Sequence, residues 1–296
     1  MKRRAWFIAV AAAIPIACLL LAMLPRVETF TDFAMGSVLT QTYWSYGGAK
    51  KTADNVVWAM KLAEDAFTGE FPVESVYCQV AEEIREASGG AFNPYLGALT
   101  RLWNIDSRDG SPPHVPTQAE IDEALEKTEW DFGAIGKGAA CDVTIPYLFP
   151  QAAAVINLGG NIMTWGTKPW GKPFKIALRD PKGGPNDAIG TFTLRGTRFI
   201  STSGSYEKYF ARDGKTYHHI FDPETGFPAC RDPGLISVTV ISDGGAVGDA
   251  LSTACFVLGY EASLPLLEQY NCDALFVYED GEVRAAGRVM EYYEAR

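Results

Sequence analysis

The spacing of apolar residues changes partway along this chain, and that change most limits the folds open to it. From Thr52 to Thr68, Val56, Val57, Met60, Leu62, Ala63 and Phe67 recur at helical spacing. A second helix is expected from Glu74 to Ser88, stopped by Gly89-Gly90, and a short third over 94–103 after Pro94. Ser111 to Pro116 reads as a loop; Thr117 then caps a helix from about Gln118 to Lys127, with Glu120 at the capping-box position. Beyond residue 150 the period shortens to that of strands. Ala153–Leu158, Phe174–Leu178, Thr191–Leu194, Arg198–Thr202, Ile236–Ile241 and Ala274–Tyr278 are strand-like and separated by Gly, Pro and Asp turns. Helices over Gly245–Leu258 and Glu261–Tyr270 interrupt them. The order is irregular rather than alternating, which favours α+β over a doubly wound parallel sheet.

One segment stands apart from that body. Met1-Lys2-Arg3-Arg4 precedes Ala5 to Leu24, 20 residues without a charge. A basic flank before an apolar run of that length is expected to act as a membrane anchor or signal segment over residues 1–29, leaving one domain over 30–296. Pro15-Ile16-Ala17-Cys18 partly matches a lipoprotein cleavage box, which makes Cys18 a lipidation candidate. The domain is then expected on the extracytoplasmic side of the cell membrane. With 26 basic against 36 acidic side chains, net −10, a broad nucleic-acid footprint is excluded, and the average charge disfavours peripheral binding to anionic lipid. Five further cysteines form no C-x-x-C pair and support no disulfide framework; three histidines exclude a His-rich metal cluster.

Four glycine-marked segments carry the chemistry. Asp131 to Asp142 (DFGAIGKGAACD) lacks Walker A spacing, since two residues separate Gly133 from Gly136 and Gly138 follows Lys137. Its glycines open a helix whose amides and Lys137 suit an anion, or they form a plain turn. Asn157 to Ile162 is a strand ending in paired glycines, open either to a flat ligand or to an ordinary turn. In Tyr217 to Gly226, His218 and His219 point to opposite faces of an extended segment and cannot chelate one ion together. In Asp243 to Ala254, a helix starting near Ala246 puts Asp249 and Thr253 on one face. These are hard oxygen donors suited to Mg²⁺ rather than zinc, or simply a helix-dipole partner and a packed methyl.

Taken in order, these segments resemble the ApbE-type FAD:protein FMN transferases. The resemblance extends to Phe33-Ala34-Met35-Gly36-Ser37, Gly90 to Pro94 with Leu102-Trp103, Ser201 to Phe210, and His219 to Pro228, and covers most of residues 30–260. It implies an α+β fold of mixed sheets with flanking helices, related to the T-fold. It implies FAD as substrate, Mg²⁺, release of AMP, and transfer of FMN to a Thr or Ser hydroxyl of an acceptor flavoprotein. Asp249 and Thr253 match the family's metal ligands, with the Ala134 carbonyl as third. Met35, Asn93, Asp131 and Lys137 fall at cofactor-lining positions, with His219 and Ile220. His219 precedes the D-P-x-T-G turn, placed to take the proton of the attacking hydroxyl.

The chain also departs from the family pattern. An S-x-x-S-x-x-N stretch is missing or shortened where Thr68 to Glu74 stands, and Asn93, Asn161 and Ser205 occupy positions where an acid is usual. These departures bear on FAD contacts more than on the metal ligands. Two other readings share the same residues: an anchored, non-catalytic FAD binder, and a FAD pyrophosphatase using water as acceptor.

Overall fold

Strand structure begins earlier than the apolar pattern suggests. In the computed structural model, which describes residues 24–68, 76–106, 110–184 and 186–296, β1 (Arg26–Ala34) and β2 (Ser37–Ser45) form a hairpin closed by Met35-Gly36. The strand therefore opens inside the range expected for the leader. Residues 1–23, with Cys18, and the departure at 69–74 lie outside the described residues. Both turn residues have positive φ, 51° at Met35 and 64° at Gly36, as a tight hairpin turn with right-handed twist requires.

Helix α1 (Lys50–Thr68) follows, then α2 (Val76–Ala87) and α3 (Gly97–Trp103). The start of α3 is later than Pro94 suggested because Asn93 Oδ1 accepts from Tyr95 N–H at 2.9 Å, holding a turn there. Helix α4 (Gln118–Leu125) carries the expected capping box between Thr117 and Glu120. A 3₁₀ turn at Phe132–Ala134 leads into α5 (Gly136–Asp142) and the single turn α6 (Ile145–Leu148). There follow β3 (Ala153–Leu158), β4 (Asn161–Gly166), β5 (Phe174–Arg179), β6 (Ala188–Leu194), β7 (Arg198–Gly204), β8 (Tyr209–Arg212) and β9 (Lys215–His218). The chain closes with β10 (Leu235–Ser242), α7 (Gly245–Leu258), α8 (Tyr260–Gln269), β11 (Asp273–Tyr278), β12 (Val283–Ala286) and β13 (Tyr293–Ala295).

The α+β class is as expected, and the ladders between these strands are uniformly antiparallel. Eight strands pair in the order β1-β2-β3-β4-β7-β10-β11-β12, beside a three-stranded sheet β13-β6-β5 and the β8-β9 hairpin. Strand alternation sorts residues to two faces. Ala154, Ile156 and Leu158 of β3 pack with α1 and α5, whereas Ala153 packs with Phe174 and Phe192 of the small sheet. Val238 and Val240 of β10 and Ala274 and Phe276 of β11 pack beneath α7, with Ile241 and Leu275 on the opposite face. Because both faces are covered, the central strands read as continuous apolar runs. A satellite cluster around Trp103, Leu99 and Phe221 ties α3 and α4 to the segment after β9.

Candidate active site

Helices α5 and α7 touch backbone to backbone. A Cβ on Gly138 would stand 2.1 Å from the Gly245 carbonyl oxygen, and one on Gly245 2.3 Å from that of Gly138. Each helix lends the other a carboxylate. Asp142, ending α5, accepts from the Gly245 and Ala246 amides at 2.8 and 2.9 Å, which caps α7. Asp249, one turn into α7, accepts from Gly138 N–H at 2.8 Å through Oδ2. Gly138 N–H is the donor a regular helix would turn back to the Ala134 carbonyl. Part of the amide cluster expected to meet an anionic ligand is thus already bonded to Asp249.

Asp249 is 4% exposed, and burial raises its pKa against the opposing pull of the Lys137 charge and the Gly138 and Asn161 hydrogen bonds. Its Oδ1 accepts from Asn161 Nδ2 at 3.0 Å, while Asn161 Oδ1 is buried without a hydrogen-bond partner. Thr253 lies one turn further along α7; its hydroxyl is 3.1 Å from Ser203 Oγ, which also contacts Ser252 Oγ at 2.8 Å. Among the described residues no three His, Cys, Asp or Glu side chains group to hold a metal. A cation here must therefore draw on carbonyl and hydroxyl oxygens besides Asp249. The donors the structure brings together are hard: the Asp249 carboxylate, the Thr253 hydroxyl and the orphaned Asn161 oxygen, while no contact among the described residues links the Ala134 carbonyl to them. That chemistry fits Mg²⁺.

The two histidines part company as expected, although neither simply faces solvent. His218 Nε2 lies 3.1 Å from the Ala229 carbonyl, its Nδ1 accepts from Ile220 N–H, and its ring stands edge-on to Phe256. Burial holds its pKa down at about 4. His219 Nδ1 lies 3.2 Å from the Lys208 carbonyl oxygen and donates to it, which leaves Nε2 as the basic nitrogen. Burial first, then the Lys208 and Lys137 charges, bring its pKa down to about 4 as well. Lys137 thus acts electrostatically on both Asp249 and His219, and so joins two segments 30 residues or more apart.

Of the remaining candidates, Met35 touches α5 and Asp131 precedes it in the chain. Gly159 packs on the Ser37 side chain next to Lys137, which joins the β1–β2 and β3–β4 turns. Met35 donates its N–H to Glu64 at 2.9 Å, and its methyl lies against Gly136. Asp131 Oδ1 accepts from Gly133 N–H and Oδ2 from Thr100 Oγ1, at 2.8 and 2.7 Å, and Asp131 N–H donates to the Pro94 carbonyl beside Asn93. Downstream, Arg231 clamps Asp222 with bonds of 2.6 and 2.7 Å, and Trp103 Nε1 holds the Gly226 carbonyl at 2.9 Å, so the D-P-E-T-G turn is rigid. Ile220 differs from the rest: its side chain is buried in the core and its backbone is bonded to His218 and Ala229. Sequence reasoning missed Ser203 and the Lys208 carbonyl, because a hydroxyl in a serine-rich strand and a backbone oxygen carry no signature.

Fold and site together define an α+β protein in which a buried carboxylate joins two helices and an imidazole is held on a backbone carbonyl. Residues 76–276 match the ApbE family, and the chain belongs to that family. It is 35% identical to a FAD:protein FMN transferase of Treponema pallidum, over 77% of this chain and 73% of that protein. It is 32% identical to one of Klebsiella pneumoniae, over 87% and 91%. An ApbE protein from Thermotoga maritima superposes with TM-score 0.79 at 28% identity, over 90% of this chain and 99% of that one. The apo flavinyl transferase ApbE of Pseudomonas stutzeri gives 0.73 at 27%, over 90% and 97%.

Proposed function

We propose that this chain transfers FMN from FAD to a Thr or Ser hydroxyl of an acceptor flavoprotein, releasing AMP, at the outer face of a membrane that holds its N-terminal segment. The observation that carries the reading is the α5–α7 junction, where Gly138 N–H, one residue past Lys137, and Asn161 Nδ2 hold the buried Asp249 carboxylate. The Lys137 charge acts on this carboxylate and on His219, whose Nε2 is left as the base. Both relatives named above are FAD:protein FMN transferases by name, which supports the transfer of FMN from FAD to a protein.

Asp249, Thr253 and the Ala134 carbonyl would hold Mg²⁺, whose charge neutralises pyrophosphate oxygens when bound. Lys137 sets a second positive charge against the charge that grows on phosphorus-bound oxygen. The acceptor hydroxyl forms the new O–P bond to the FMN phosphorus, and the bridging P–O bond breaks with its electron pair leaving on AMP. His219 Nε2 takes the hydroxyl proton, held in the right tautomer by the Lys208 carbonyl. Met35, Asn93 and Asp131 line the approach for the rest of FAD.

The test is incubation of the full chain with FAD, Mg²⁺ and a Thr-containing acceptor protein, read by mass. Gain of one FMN on the acceptor supports the reading. Free FMN and AMP without labelled acceptor mean hydrolysis, intact FAD means binding alone, and either result overturns it.

A further inference from the structure

Exposed aromatic and basic side chains that the site leaves unused gather at one end of the large sheet. Register fixes which end. Arg26 faces Ser45, Trp44 faces Ala153, Ala153 faces Gly166, and Thr164 faces Arg198, while the turns bearing Met35 and Gly159 lie at the other end. Directly past Gly166 runs the loop Thr167-Lys168-Pro169-Trp170-Gly171-Lys172. Trp170 has φ 59°, a left-handed backbone that a bulky residue avoids, and is 73% exposed. Keeping that indole in water forgoes the stabilisation its burial would bring. Phe149, 71% exposed, shares this end with its ring against Trp165, and Tyr46, just past β2, is 58% exposed. Lysines stand among the rings: Lys168 Nζ lies 4.3 Å from the Trp44 centroid and Lys172 Nζ 5.9 Å from that of Trp170. Three acids also stand at this end: Asp243 pairs with Arg198, Asp273 accepts from the Arg288 amide and the Tyr292 hydroxyl, and Glu291 shares a cavity with Arg195, Arg198 and Arg288. A protein of net charge −10 thus presents a basic, aromatic end. Rings that are half apolar, set among lysines, suit the headgroup layer of a bilayer.

The entry point of the chain supplies a second, independent observation. Leu24 closes the charge-free run and stands two residues before Arg26, the head of β1. At no more than about 3.6 Å per residue, Leu24 is within about 7 Å of this same sheet end.

We propose that this end is a second membrane contact, with Trp170, Phe149 and Tyr46 seated among lipid headgroups and Lys168, Lys172 and Arg26 on their phosphates. It rests on the anchor reading above. The local charge reverses what net charge alone implies about anionic lipid. The β1–β2 hairpin, nine residues per strand, then holds the Met35 turn roughly 30 Å from the lipid at about 3.3 Å per residue, which leaves room for an acceptor protein.

The test uses the full chain in nanodiscs of phosphatidylethanolamine and phosphatidylglycerol, with hydroxyl-radical footprinting. Phe33, 62% exposed near the opposite end, is the internal reference. Relative to Phe33, Trp170 and Phe149 are expected to oxidise at least three-fold more slowly than the same residues in discs of neutral phosphatidylcholine, or Phe149 in the Trp170→Ser/Lys172→Glu chain. A shallow nitroxide-labelled lipid gives a second readout: it quenches part of the tryptophan fluorescence, and Trp170→Phe loses that part. A chain retained in the disc with Trp170 and Phe149 as reactive as in these comparisons overturns the contact and leaves the anchor standing. A chain that elutes apart from the discs overturns the anchor, and the contact with it.

Discussion

His218 and His219 differ by one position and by everything around them. His218 is spent on the Ala229 carbonyl and the Phe256 ring, whereas His219 keeps one nitrogen for chemistry. His219→Ala is expected to slow FMN transfer at least 100-fold and to leave the Kd for FAD within about three-fold; loss of binding in step with rate would assign it to FAD instead. Its low pKa makes a second expectation. An imidazole held at about 4 is neutral, and so competent as a base, throughout the range above that value. The kcat/KM for transfer should therefore show no His limb near 6.5 and fall only as pH drops toward 4. A limb at 6.5 would point to another base. Asp249 and Thr253 were legible because a four-residue interval on a helix is a local pattern. The bond from Asn161 to Asp249 crosses 88 positions, and nothing in a single sequence announces it. Asn161→Asp would set a second carboxylate beside Asp249 and is expected to tighten Mg²⁺ binding, measured calorimetrically; an unchanged affinity would place this side chain away from the cation.

At the scale of elements, the α5–α7 contact is the one on which the site depends. Gly138→Ala would set a methyl on the Gly245 carbonyl and the Asp249 Cβ, which closes the gap across which Asp249 and Asp142 are exchanged. Overpacking of this kind costs about 1–3 kcal/mol, and the variant should lose transfer activity even where circular dichroism shows it folded. Thr117→Ala, far from the site, is expected to cost about 1 kcal/mol by removing a cap, with activity unchanged. Both features stood in the sequence, but only the cap could be read as such. A capping box is complete within four residues, whereas Gly138 meets a helix whose Asp249 lies 111 positions further on. The central strands were legible for the same reason of locality, as apolar runs. β1 was not: Thr29, Thr31 and Asp32 line the open edge of the sheet, and an edge strand needs only one partly buried face. The β8–β9 pair is likewise mostly exposed, and its four-residue strands are too short to show an alternation even though Phe210 and Tyr217 pack on the Trp103 cluster.

For the whole molecule, the buried histidines and carboxylates couple stability to pH in opposing directions. His218 has a folded pKa of about 4 against about 6.5 in the unfolded chain. Below pH 6.5 the unfolded state binds the proton and the folded state does not, so stability falls as pH drops from 6.5 to 4. This one group removes roughly 3 kcal/mol at most. Asp222, whose pKa Arg231 draws down against burial, loses its contribution at still lower pH, as the carboxylate protonates. Asp249 and Asp142 oppose this, since burial raises their folded pKa values and protonation in the folded state then favours folding as pH falls. Mg²⁺ held there as proposed would reverse the Asp249 share, because a cation bound to the carboxylate opposes its protonation. The thermal midpoint of the full chain should thus fall between pH 6.5 and 4, on the order of 5–10 °C for His218 alone in a protein of this size. The fall should be steeper with Mg²⁺ than with chelator. His218→Gln should remove about half of the slope that His218 and His219 share over that window, while lowering the midpoint at pH 7 through lost packing on Phe256. Calorimetric scans at matched ionic strength decide it. A metal-independent slope would remove the cation from Asp249, and an unchanged slope in His218→Gln would move the acid sensitivity elsewhere.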